Sequence, residues 1–124
     1  MKKFATAINC MDGRVQEPVI RFMKEKFGVD YVDMITMPGP DKILGENADH
    51  HAVEATRTRI EISVSKHGSE TILMAGHGDC AGNPVQKEVH LRQIQDSVRL
   101  IHNWFPKVKV FPAWIDENWE VRLI

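Results

Sequence analysis

The chain has 124 residues, 43% of them hydrophobic and 27% charged, which suits one globular domain over residues 1–124 with a packed core. Sixteen Lys and Arg against seventeen Asp and Glu leave a formal net charge of −1, and the basic residues are scattered, so neither nucleic acid nor a membrane surface is an expected partner. The opening MKKFATA holds no long apolar stretch before Asn9 and Cys10; it predicts no signal peptide, no membrane span and a cytoplasmic location.

Phe4 to Asn9 reads as a short strand ending at Cys10. From Gln16, with Pro18 in the first turn, Val19, Phe22, Met23 and Phe27 recur at helical spacing until Gly28. Tyr31 to Met37 is a second strand, closed by Pro38-Gly39-Pro40, and Asp41 to Asn47 reads as a loop or short turn. A long helix is predicted from about Asp49 to Lys66, with Val53, Thr56, Ile60 and Val64 as its inner stripe. Thr71 to Gly76 is almost uniformly apolar, as a central parallel strand covered on both faces should be, and it leads into His77 and Cys80. Pro84 then opens a helix in which Val89, Ile94, Val98, Ile101 and Phe105 repeat until Pro106. Lys107 to Ile115 is a fourth strand, Asp116-Glu117-Asn118 a turn, and Trp119 to Ile124 a short antiparallel return.

This alternation predicts an α/β fold: one open, mostly parallel sheet of order 2-1-3-4, with a short antiparallel C-terminal edge strand, flanked by helices. The first and third strands are then neighbours. Their carboxyl ends meet at the switch point where sites form in such sheets.

Two motifs fall at those ends: Cys10-Met11-Asp12-Gly13-Arg14 and His77-Gly78-Asp79-Cys80. In a reducing cytosol two such cysteines suit metal ligation or catalysis better than a disulfide. Two thiolates and one imidazole match a tetrahedral zinc with three protein ligands, Cys10, His77 and Cys80, and a fourth corner for water that ionises near pH ~7. Structural zinc sites normally use four Cys/His ligands, and three are offered here. Asp12 can accept a hydrogen bond from that water or occupy the corner itself, and Arg14 can pair with it bidentately. An exposed Asp12–Arg14 ion pair of little consequence is the plain alternative. A Cys10 nucleophile of phosphatase type would need arginine at position 16, which is Gln16, and a redox C-x-x-C would need cysteine at position 13, which is Gly13.

The C-x-D-x-R and H-x-x-C pair, in this order and on this strand pattern, resembles the β-class carbonic anhydrases, over nearly the whole chain to the Trp114-Ile115…Trp119-Glu120-Val121 hairpin. The resemblance implies one zinc per chain on Cys10, His77 and Cys80. It implies reversible hydration of carbon dioxide to bicarbonate, with Asp12 and Arg14 as the dyad that orients zinc-bound hydroxide, and a homodimer or higher homo-oligomer. It also allows a closed form in which Asp12 moves onto the metal. The chain departs from that family at Thr36-Met37-Pro38-Gly39, where the family usually has Arg-Asn-Ala-Gly, and at Ala81-Gly82 after the second cysteine. These departures keep two alternatives open: a zinc hydrolase of carbonyl sulfide or carbon disulfide, and a non-catalytic zinc-binding or bicarbonate-sensing module.

Asp79, between two ligands, either orients His77 or is a plain loop residue. His50 and His51 either carry protons or merely begin a helix. His67 reads as a favourable charge at a helix end. His90 and His102 have no carboxylate or cysteine partner in view and are assigned no function. Trp114 and Trp119 pack across the final hairpin or in a subunit contact.

Overall fold

The computed structural model describes residues 1–124. Its strands are β1 (Phe4–Cys10), β2 (Tyr31–Met37), β3 (Thr71–His77), β4 (Lys109–Ile115) and β5 (Val121–Leu123). They form one sheet in the order β2-β1-β3-β4-β5. All neighbours are parallel except β5, which runs antiparallel to β4. This is the sheet that the alternation of strands and helices predicts, edge strand included.

The central strands β1 and β3 are buried along almost their whole length because helices cover both faces. On one face α1 (Gly13–Phe27) lays Val15, Val19 and Met23 over Ala5, Ala7, Leu73, Ala75 and Ala113. The four alanines let that helix approach closely. On the other face α2 (Pro40–Glu46), α3 (His50–Glu61) and α4 (Lys87–Trp104) enclose Ile8, Ile72, Met74, Ile94 and Ile101. Each fully buried side chain of this size contributes about 1.5–3 kcal/mol, so the two layers hold the sheet independently of any ligand. No helix is long and apolar enough to cross a membrane.

Several boundaries differ from expectation, each for a local reason. Helix α1 starts at Gly13 rather than Gln16, because the Asp12 side chain caps it by accepting from the Arg14 amide at 2.9 Å. The Asp41–Asn47 loop is instead the short helix α2, with Pro40 in its first turn. It packs so tightly on α4 that a Cβ on Gly45 would lie 3.0 Å from the Gln93 carbonyl oxygen.

The long helix splits: after α3, Ile62–Lys66 continues in wider π-type turns. There Ser63 is buried and Val64 packs half-buried against the core, and Ser63 hydrogen-bonds Thr6 at 2.6 Å and Asp33 at 2.7 Å. Helix α4 begins three residues after Pro84, with Gln86 before its first turn. Strand β4 begins at Lys109 because Phe105–Val108 closes a turn, with the Val108 amide donating to the Phe105 carbonyl at 3.1 Å.

Candidate metal centre

Strands β1 and β3 pair in parallel, Thr6 with Ile72 through Ile8 with Met74, so they finish side by side. Cys10 is the last residue of β1 and His77 the last of β3, and the turn after β3, with Asp79 at φ +52°, returns Cys80 to the same place. Both cysteines are free and buried, with their sulfurs 3.8 Å apart. The donor atoms of Cys10, His77 and Cys80 all lie within 4.8 Å of one another. Asp12 stands outside this cluster, held by Arg14.

The imidazole of His77 is 1% exposed, and its Nδ1 lies 2.6 Å from the Gly78 carbonyl oxygen. A carbonyl can only accept, so the hydrogen sits on Nδ1 and Nε2 carries a lone pair. That Nε2 is buried and has no hydrogen-bond partner. An unpaired buried polar atom is costly, and a metal ion between the three donors would satisfy it. Burial, and then the adjacent Cys10 sulfur, push the Cys80 thiol up to about 11, against the amides of Gly82 and Asn83, which favour its thiolate. A cation reverses that balance, because it makes the thiolate the favoured form. Two sulfurs and one imidazole nitrogen thus fit a tetrahedral zinc with an open position.

Arg14 grips Asp12 from both sides. Its Nε lies 3.0 Å from Oδ1 and its Nη2 2.7 Å from Oδ2, while the Arg14 amide also donates to Oδ1. These hydrogen bonds hold the Asp12 carboxyl down at about 2, so it is ionised throughout the neutral range. The guanidinium lies over the Trp119 ring at 4.5 Å and reaches Asp79 Oδ2 at 3.2 Å. The Asp79 carboxylate therefore meets Arg14, whereas His77 donates its hydrogen bond to the Gly78 carbonyl. Trp114, largely buried in the core, and Trp119 both line a cleft of about 300 Å³, together with Arg14, Gly78, Asp79 and Lys87.

The remaining histidines lie apart from this cluster. His50 and His51 are exposed in the first turn of α3. His67 ends the π-type segment and pairs with Asp33 at 2.7 Å. His102 is exposed near the end of α4. His90 differs from the expectation that it has no partner: it is buried and lies 2.6 Å from the carboxylate of Asp41, which comes from α2. The two are 49 positions apart, beyond the reach of local pattern.

Two supports of the motif turns were missed from the sequence. Gln16 Nε2 donates to the carbonyls of Cys10 at 2.8 Å and Asp12 at 2.7 Å, and Asn9 braces Gln16 at 3.1 Å. On the other side the divergent Pro38-Gly39 segment presses on the turn after Cys80. A Cβ on Gly82 would lie 2.6 Å from Pro38 Cβ and 2.8 Å from its carbonyl carbon. Gly82→Ala is accordingly expected to destabilise the fold by about 1–3 kcal/mol, because backbone must move. Chemical denaturation of variant and wild type measures this, and an unchanged midpoint would refute the close packing.

The family model described as "Putative carbonic anhydrase" matches residues 1–124. No curated protein sequence matches the chain. Among solved structures, a carbonic anhydrase from Streptococcus mutans is 16% identical, with a TM-score of 0.65 over 99% of this chain and 82% of that one. One of two tetrameric β-carbonic anhydrases from the ascomycete Sordaria macrospora is 13% identical, with a TM-score of 0.68 over 99% of this chain and 80% of that one. The β-carbonic anhydrase CafD of Aspergillus fumigatus is 11% identical, with a TM-score of 0.65 over 100% and 90%. At these identities the structures share the fold, and the family model spans the whole sequence: the chain belongs to the carbonic anhydrase family that this model describes.

Proposed function

We propose that the chain holds one zinc ion through Cys10, His77 and Cys80 and catalyses the reversible hydration of carbon dioxide to bicarbonate. The observation that carries this reading is the buried, unpartnered His77 Nε2 facing two thiols, beside an ionised Asp12 locked to Arg14. When bound, zinc supplies Lewis acidity that lowers the pKa of water to near ~7.

The residues around it divide the remaining work. Gly78 fixes the His77 tautomer through Nδ1, leaving Nε2 free to ligate. Asp12 accepts a hydrogen bond from the attacking oxygen and turns a lone pair of that oxygen toward the carbon of the substrate. Its Oδ2 accepts from Arg14 Nη2 at 2.7 Å and more weakly from Nε at 3.3 Å, and a carboxylate oxygen keeps acceptor capacity beyond these. Arg14 holds the carboxylate in that orientation, and Trp119 and Asp79 hold Arg14. Met11, 60% exposed next to Cys10, and the free edge of β2 support a homo-oligomer with the centre close to a subunit contact.

Metal analysis and a stopped-flow hydration assay on the same preparation test this. About one zinc per chain and hydration that disappears on chelation and returns with zinc are the expected results. Zinc-replete protein that hydrates no carbon dioxide would overturn the reading. Turnover of carbonyl sulfide in that preparation would make it a hydrolase, and none would leave a binding module.

A further inference from the structure

We infer that Asp41, His90 and Asn83 form a buried positioning cluster that holds the Cys80 turn in its ligating geometry and thereby sets the metal affinity of the centre. This rests on the reading that Cys10, His77 and Cys80 bind zinc.

The three side chains come from α2, from α4 and from the loop that follows Cys80, and their residues are 2%, 1% and 1% exposed. A carboxylate, an imidazole and an amide so fully removed from water must find partners, and these three hydrogen-bond one another, with His90 Nε2 left buried and unpartnered. Asp41 Oδ2 can only accept, so His90 Nδ1 donates to it, at 2.6 Å. The two amide hydrogens of Asn83 go to Asp41 Oδ1 at 3.1 Å and to Gln93 Oε1 at 2.7 Å.

Asn83 is thereby immobilised, and it carries the turn of the ligand with it. Its backbone amide donates to the Cys80 carbonyl at 3.2 Å. The fit is close on the remaining sides as well. A Cβ on Gly39 would lie 2.8 Å from Asn83 Cβ, and a Cβ on Gly76, next to the ligand His77, 3.0 Å from Asp41 Oδ2. An apolar cluster of the same volume would stabilise the fold at least as well, so the polar set is explained by the geometry that it imposes. Partners outside the ligand sphere of a metal typically change its affinity by about 10–100-fold.

The test measures metal affinity and geometry without turnover, by chelator competition for zinc and by the cobalt(II) absorption spectrum. Asp41→Asn is nearly isosteric but turns a donor toward Asn83 or His90. It is expected to bind zinc about 10–100-fold more weakly and to shift the cobalt d–d bands, with an unchanged far-ultraviolet circular dichroism spectrum. His90→Phe should behave likewise, whereas His90→Asn keeps a donor at the Nδ1 position and should recover most of the affinity. If His90→Phe fails to fold, Asp41→Asn decides. Wild-type zinc affinity and cobalt spectrum in Asp41→Asn, whatever its melting temperature, would overturn the inference and leave the zinc reading standing. A wild-type protein that binds neither metal would overturn both.

Discussion

Cys10→Ala is expected to lose its zinc on dialysis and to reduce carbon dioxide hydration to the uncatalysed rate. Structural zinc sites carry apparent binding free energies on the order of 10–16 kcal/mol. Divided among so few donors, loss of one thiolate should weaken binding by roughly a thousandfold. Thermal unfolding with and without added zinc reads this directly. Zinc at about a thousand times its Kd stabilises the wild type by about 4 kcal/mol. For a domain of this size that corresponds to a rise of roughly 10–20 °C in Tm. The variant should show almost no rise. The metal-free variant should still fold, because the apolar clusters on both faces of the sheet are built without the motif side chains. Its own cost is about 1 kcal/mol for a small buried side chain. A variant that retains zinc with wild-type affinity would remove Cys10 from the ligand set.

The strands were legible because their signal is local. Thr71 to Gly76 is apolar without interruption, and it is the strand that both helical layers cover. The proximity of Cys10 to His77 and Cys80 followed from chain order together with the commonest small α/β arrangement, which places the second and third strands on opposite sides of the first. Helix α2 was not legible. It has seven residues with a glycine among them and no full period of apolar residues, and it forms because it packs on α4.

The interpretation of His90 failed for a different reason. Its partner Asp41 belongs to another helix, and no spacing rule connects them. One signal was available: His90 shares a helical face with Ile94, Ser97 and Ile101, all of them buried. A polar residue in such a stripe requires a partner somewhere. Asp79 was open between orienting His77 and being a plain loop residue, and its carboxylate reaches Arg14 instead.

Asp12→Asn separates the helix cap that Asp12 forms from the catalytic role proposed for it. Asp12 caps α1 through the Arg14 amide, and asparagine caps a helix about as well, so stability and zinc content should change little. What the exchange removes is the charge and the second acceptor oxygen. An amide nitrogen in the place of Oδ2 would face Arg14 Nη2, donor against donor, and the guanidinium would retreat toward Asp79. Loss of one preorganised group at the reacting atoms costs about 10²–10³ in kcat, and that is the expected slowing.

Arg14→Gln provides the comparison. Without the guanidinium the Asp12 carboxyl rises from about 2 toward its ordinary value near 3.8, still below neutral pH, so the carboxylate survives but loses its orientation. Its slowing should therefore be smaller. The same shift has a signature in stability. In the wild type the contribution from Asp12 ionisation is present above pH 3.8 and is lost as pH falls through about 2, whereas in Arg14→Gln it is smaller across that window, because the backbone amide at position 14 still lowers the carboxyl. Hydration rates and acid unfolding of the two variants check this together. Wild-type turnover in zinc-replete Asp12→Asn would take Asp12 out of the chemistry and leave it a helix cap.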